Sequence, residues 1–455
     1  MINKKIPILF IVFTLLNIFI LLNNCSFDSK TGIWDDAAKE EKRITELEKK
    51  QKEIIKVVTI YSADNLFREE ILLNKNIVLP KPKNNLSWIM PNLNYQNSLG
   101  NIYLSGIDNI FLKKKIGKDK FSIHQTITPI LVFKNNIIFS DDNGTIFSIN
   151  EQGRVIWKKN IYKKAYKKIY KSLVFSIYEG NIYIADNIGF VYSINLSDGN
   201  LHWIRNYEVP IKSNIKVFDN KIFLINQDNK IFCLNTKDGS LIWNIRSISS
   251  FIKLQNLLSL AITQEGDLIA ITSSADIFKI GTQTGDILWS RNTADSMYAN
   301  ATDFFTSSEI AISDDKMIFS SSSNTFSFDL SNGVTNWKQE VRSISTPIIS
   351  GENIFIVTDY GYFIILDKNT GEIISSSNIL KILKKKKQKT KVTGFIMGSG
   401  KIYSTTLNGF LIVSSATSGK PEHFKKIGSS NISSLVINNG KLYILTDESK
   451  ILVLN

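Results

Sequence analysis

From about residue 100 to the C-terminus, short apolar runs alternate with breaks rich in Gly, Asn and Asp. One unit reads "TPILVFKNNIIFSDDNGTIFSINEQGRVIW" (128–157). Its pattern predicts a strand, a tight turn at Asn135-Asn136, the strand "IIFS", a second turn at Asn143-Gly144, the strand "TIFSIN", a Gly turn and a last strand through Trp157. Asn and Gly at these points allow the backbone conformations that two-residue hairpins need. The third strand can be followed down the chain as "IFSIN" (146–150), "VYSIN" (191–195), "IFCLN" (231–235) and "IFKIG" (277–281). It continues as "TFSFD" (325–329), "FIILD" (363–367), "LIVSS" (411–415) and "ILVLN" (451–455). Successive copies begin 38 to 48 residues apart. A period of about 40–50 residues with four strands in each repeat is the signature of a propeller. The last copy stops at Asn455, where its fourth strand is due, and "GIDNIFLKKKIG" (106–117) reads as a fourth strand without its first three. Joining the two would close the ring and leave no free edge. The expectation is an all-β, eight-bladed β-propeller of four-stranded antiparallel blades over residues 101–455, closed by an N-terminal strand.

A second period runs within the first. Gly153, Gly199, Gly239, Gly285 and Gly333 each stand four residues before a tryptophan: Trp157, Trp203, Trp243, Trp289 and Trp337. Gly371 and Gly419 keep the turn, with Ser375 and His423 in the Trp position. Glycine suits a turn that needs positive φ, and a Trp on the outer strand can lie against the neighbouring blade and its turn. No catalytic group is needed five times at equivalent places around a ring. The motif therefore reads as architecture.

Residues 1–100 follow another grammar. "MINKK" is basic, "IPILFIVFTLLNIFILL" (6–22) is apolar, and Cys25 follows Asn23 and Asn24. The apolar stretch is short for a membrane span and suits a secretory signal. Its placement before Cys25 resembles a bacterial lipoprotein signal, which implies a signal peptide over 1–24 and lipidation at Cys25. The two asparagines depart from the small residues usual before that Cys. An uncleaved anchor and an ordinary signal peptide are the alternatives, and every one of these readings exports the chain. Residues 25–100 then read as a tether, with a short helix in "DDAAKEEKRITELEKKQKEIIKVV" (35–58) and an extended linker at "LPKPKNN" (79–85).

Composition narrows the function. A chain with 43% hydrophobic residues is rich enough for a packed core. Its formal charge is +14, mostly from Lys scattered along a sequence also crowded with Ile and Asn, so it does not point to nucleic acid. The sharpest run is "KILKKKKQKTK" (381–391), which suits anionic head groups, an acidic partner or simply a solvated loop. With Cys25 lipidated, Cys233 alone remains and no internal disulfide can form; it lies mid-strand and reads as packing. His124, His202 and His423 are scattered and form no metal-ligand spacing. There is no phosphate loop, zinc-protease motif or nucleophile elbow.

The Gly-x-x-x-Trp turn after an "IN" or "LN" strand resembles the quinoprotein-type (PQQ-like) propeller repeat. Two classes use that repeat. One is the quinoprotein alcohol dehydrogenases, which hold a quinone and calcium; their adjacent Cys pair is missing here. The other is the BamB-like lipoproteins of the outer-membrane β-barrel assembly machinery, which use no cofactor. The second resemblance covers the signal, tether and propeller together. It implies a non-enzymatic scaffold at the periplasmic face of the outer membrane. Its partners would be the POTRA region of the barrel-insertion protein BamA, other lipoproteins of the machinery and unfolded outer-membrane proteins. Residue by residue it places contacts at Ile252 and Leu254, with Gln255 where the family has Arg and Lys253 beside it, and at Asp303 in a second loop. Ordinary loop packing is the alternative for these positions. A propeller serving another envelope partner is the alternative for the whole.

Overall fold

A computed structural model of the chain describes residues 67–118, 130–166, 168–247, 258–292, 307–321, 323–428, 432–446 and 448–455. The expected signal segment, Cys25 and the helix within 35–58 lie outside them. The described strands form eight antiparallel sheets, each the blade of a propeller. Blade 3 is representative, with strands Lys216–Phe218, Lys221–Ile225, Lys230–Asn235 and Leu241–Arg246 in that order. Its second and third strands are almost wholly buried, because both blade surfaces face neighbouring blades, whereas most of the fourth strand is exposed. This explains the continuous apolar runs at the third-strand positions, where a sheet with one wet face would alternate.

In five of the blades the Asn or Asp closing the third strand also has a local task. Asn150, Asn195, Asn235, Asp329 and Asp367 each accept, on the side-chain oxygen, the backbone N–H two residues ahead, at 2.8–3.1 Å. These are Asx turns, which start the hairpin toward the fourth strand. Beyond the hairpin the pairing slips by one residue. In blade 3 Cys233 pairs with Trp243 and Leu234 with Leu241, leaving Ile242 as the extra residue of a bulge.

Antiparallel order sorts the loops onto two faces. Hairpins joining first to second and third to fourth strands lie on one, here the turn face. Second-to-third turns and the connections between blades lie on the other, the connection face. Blade 8 consists of Ile432–Asn438, Lys441–Thr446 and Lys450–Leu454, with Ile110–Lys115 paired to the last of these.

Residues 67–105, which take in the expected extended linker at 79–85, are bound to the propeller. Ile71 exchanges backbone hydrogen bonds of 2.9 Å with Ser376, on the outer strand of blade 6. Farther along, the Lys75 ammonium lies 2.6 Å from the Asp367 carboxylate at the turn face. The Pro-containing stretch is pinned by the Asn101 side-chain amide to the Pro80 carbonyl and by the Lys83 amide to the Asn101 carbonyl, both at 2.9 Å. Its partner lies about twenty residues on, and the partners of Ile71 and Lys75 about three hundred residues on, which no local pattern announces.

Candidate partner-docking faces

The recurrent tryptophans reach across blade boundaries. Trp157 Nε1 donates to the Leu196 carbonyl, Trp203 to Thr236, Trp243 to Thr282, Trp289 to Leu330 and Trp337 to Lys368, at 2.9–3.2 Å. Each acceptor stands three residues before the Gly of the next blade's turn. That Gly lies under the ring: a Cβ on Gly199 would stand 2.7 Å from Trp157, on Gly239 2.5 Å from Trp203, and on Gly285 2.9 Å from Trp243. Gly333 and Gly371 meet Trp289 and Trp337 in the same way. The Gly153 turn instead receives Leu112, from the strand that completes blade 8. Opposite the tryptophans, on the third strands, stand Ser148, Ser193, Cys233, Lys279 and Ser327. Cys233 thus occupies a place that three other blades give to Ser. It is fully buried, and burial pushes its thiol up to about 12. Such a thiol is not a nucleophile at neutral pH.

On the turn face, residues 87–105 make a circuit of the channel mouth. Ser87–Trp88 adds a fifth strand to blade 1, inside its first strand. The Ile89 carbonyl accepts the Ile177 amide of blade 2 at 2.7 Å. Blade 3 sends in Lys216, a fully buried lysine that donates to the Asn97 side-chain oxygen at 2.6 Å and the Asn94 carbonyl at 2.9 Å. Tyr95 and Gln96 accept the amides of Ile262 in blade 4 and Ile312 in blade 5. Gly100 lies beside Ile349 of blade 6, Ile102 bridges Gly398 of blade 7, and Leu104 bridges Gly440 of blade 8. One short segment therefore visits every blade in chain order. Asn97 is its hub, its amide donating to the carbonyls of Leu260 and Ile310 at 3.0 and 2.8 Å. Glu309 completes the polar cluster, accepting from Asn214. Burial pushes the Lys216 ammonium down and the Glu309 carboxyl up, and the attraction between the two opposes both shifts.

Residues 142–377, just over half of the chain, match the family described as outer membrane protein assembly factor BamB. The chain belongs to the BamB family. Among solved structures it is similar to BamB from Moraxella catarrhalis, with a TM-score of 0.63 and 13% identity over 76% of this chain and 98% of that one. It is also similar to the quinohemoprotein alcohol dehydrogenase from Comamonas testosteroni, with a TM-score of 0.57 and 10% identity over 79% of this chain and 76% of that one. Saccharomyces cerevisiae Sqt1 gives a TM-score of 0.56 and 14% identity over 78% of this chain and 99% of that one. At such identities each likeness shows the fold alone. No curated protein sequence matches the chain.

For a BamB-family chain the sites of interest are loops. Ile252, Lys253, Leu254 and Gln255 fall between blades 3 and 4 and Asp303 between blades 4 and 5; all five lie outside the described residues. Both connections leave from the connection face, away from the occupied mouth. Among the described residues no three His, Cys, Asp or Glu side chains converge on a metal-sized site. His202 and His423 are exposed on outer strands. A cleft on the turn face, lined by Tyr95, Tyr178 and Phe218, also holds Asp219, Glu265 and Asp267, the first and last of them ion-paired. Asp219 meets Lys221 at 3.1 Å and Gln283 at 2.5 Å, and Asp267 meets Lys279 at 3.4 Å.

Proposed function

We propose that this protein is a non-enzymatic scaffold of the outer-membrane β-barrel assembly machinery. It is held by lipid at Cys25 to the periplasmic face of the outer membrane. It binds the POTRA region of BamA, meets other lipoproteins of the machinery, and helps present unfolded outer-membrane proteins. The observation that carries this reading is membership of the BamB family, matched over residues 142–377. The geometry agrees with it: a rigid wheel with one mouth filled by its own chain leaves loops on the other face for recognition, as is usual for loops on a firm scaffold. The same fold serves dehydrogenases, so the fold alone does not choose between them.

The deciding experiment is a gentle-detergent pull-down of the tagged full chain from envelopes, read by mass spectrometry. Recovery of the barrel-insertion protein is the expected result. Ile252→Glu with Leu254→Glu should then lower that recovery at least about tenfold, the loss of about 1.4 kcal/mol of binding or more. A well-expressed bait that recovers none of the machinery points to another envelope partner. A bound quinone or calcium in the purified chain would restore the dehydrogenase reading.

A further inference from the structure

Eight blades repeat one plan, so a departure that packing does not require marks a place for something else. The hairpin from first to second strand holds two residues in seven blades, as between Phe218 and Lys221 or between Ser313 and Lys316. In blade 4, residues 263–267 separate the paired Ile262 and Leu268. This longer hairpin is closed on itself. The Thr263 amide donates to the Asp267 carbonyl at 2.8 Å, and the Gly266 amide to the Thr263 carbonyl at 3.1 Å. It leans toward blade 3, since a Cβ on Gly266 would stand 3.3 Å from the Phe218 ring. Glu265 stands exposed in the middle of it.

The residue that ends the first strand departs from the plan as well. Blades 5 to 8 end it on Ser313, Ser350, Gly398 and Asn438, whereas blades 2 and 3 end it on the rings of Tyr178 and Phe218. Both rings are half-buried, and Tyr95 of the mouth circuit meets Phe218 edge-on, with ring centres 5.3 Å apart. Three rings from three separate elements and the long blade 4 hairpin thus enclose the turn-face cleft, about 560 Å³ in volume. That is the size of a small-ligand site, for which about 300–1,000 Å³ is usual.

The charge of the lining says what the cleft takes. It holds three carboxylates, Asp219, Glu265 and Asp267, and no Lys or Arg. From behind the lining Lys221 pairs with Asp219 and Lys279 with Asp267. Glu265 forms no ion pair with another described residue. Its own backbone amide and the Thr263 hydroxyl hold its carboxyl below the usual range, so it is charged at neutral pH. Burial raises the Tyr178 hydroxyl, the Asn220 backbone opposes, and the charges of Glu179 and Asp219 add to the rise. The aromatic wall therefore stands in a negative potential. Ring faces attract cations, and an uncompensated carboxylate beside them adds to that attraction. We propose that this cleft binds an organic cation, an ammonium or guanidinium group on an apolar stem. The stem lies along the rings of Tyr95, Tyr178 and Phe218, and the charged head meets Glu265. Free alkylamines and the Lys or Arg side chains of a polypeptide both carry that chemistry. A neutral sugar would stack on the rings but leave the carboxylate without a counter-charge. This inference goes beyond the scaffold reading and does not depend on it.

The test is a saturation-transfer NMR titration of the detergent-solubilised full chain. Its probes are cadaverine, the peptide acetyl-Gly-Lys-Gly-amide, the same peptide with norleucine for lysine, and diacetylchitobiose as a neutral sugar. Binding of the lysine peptide at least about threefold tighter than its norleucine counterpart is the expected result, and the difference should shrink as salt rises. Cadaverine and the lysine peptide separate the two sources: binding of either supports the proposal, and their ratio says which source the cleft takes. E265Q and Y178L should each weaken the cationic probe that binds by about threefold. D315N, an equal charge change in the blade 5 hairpin, should not. Unfolding midpoints of the variants establish that the ring is intact. No transfer to either cationic probe, equal binding of the norleucine peptide, an unchanged affinity in either cleft variant, or an equal loss in D315N overturns the proposal. So does a preference for the sugar, which would assign the cleft to a glycan. Recovery of the barrel-insertion protein is measured separately, so failure of either reading is visible without the other.

Discussion

Trp243 and Gly239 stand in one turn-and-strand unit of the sequence, yet neither serves the other. Gly239 supports Trp203 from the blade before, and Trp243 covers Gly285 in the blade after. The tryptophan therefore ties boundaries between blades. Trp243→Ala removes the ring and its hydrogen bond to Thr282 at once and should cost about 3 kcal/mol in denaturant unfolding. Gly239→Ala tests the other half. At φ +71° with a Cβ 2.5 Å from Trp203, alanine there should cost about 1–3 kcal/mol, whereas alanine is harmless at an ordinary turn position. The repeat of Gly and Trp was legible in the sequence because both recur at fixed spacing. The one-blade offset of the partners becomes visible only in three dimensions. The residues expected to touch a partner, from Ile252 to Gln255 and Asp303, lie in connections with no repeated pattern, so only the family resemblance singles them out.

At the scale of elements, the blades and the N-terminal segment obey different rules. A blade is written locally: apolar strands, an Asx turn, a Gly, a bulge. Residues 67–105 contain Pro, Asn and few apolar alternations, and they become ordered because eight blades supply their partners. Lys216→Met should expose this dependence. Loss of the donations to Asn97 and Asn94 should cost about 2–3 kcal/mol. Hydrogen exchange should quicken in 87–105 while the outer strands keep their protection. The segment's entry should respond to acid. Burial raises the Asp367 carboxyl, but Lys75 and the amides of Asn369 and Thr370 outweigh it and hold the group below its ordinary range. Lys381 and the Asn378 amide lower Glu70 in the same sense. Groups with depressed folded values stabilise above the ordinary carboxylate range and lose that contribution as pH falls through the folded value. Limited proteolysis should therefore cut within 67–76 below about pH 4 before the blades open.

For the whole molecule, the count of eight blades could be read from eight copies of one strand, since every copy must solve the same packing problem between two neighbours. The charge could not be read so. Lys384 and Lys163 are more than two hundred residues apart, and only the antiparallel order of the strands puts their connections on one face. The pull-down experiment questions this level. It asks what meets the loops of the ring.

The circuit at the channel mouth also sets a clock. Residues 87–105 precede every blade in synthesis, yet Asn85 is tied to Asn438, and Asn109 exchanges backbone hydrogen bonds with Asn455. The earliest part of the propeller cannot finish folding until the last part has arrived. Contacts of such sequence separation are slow to form. Until they do, the strand Lys450–Leu454 lacks its outer partner and the circuit lacks its last docking sites. Completion of the wheel thus reports that all of its blades have been delivered.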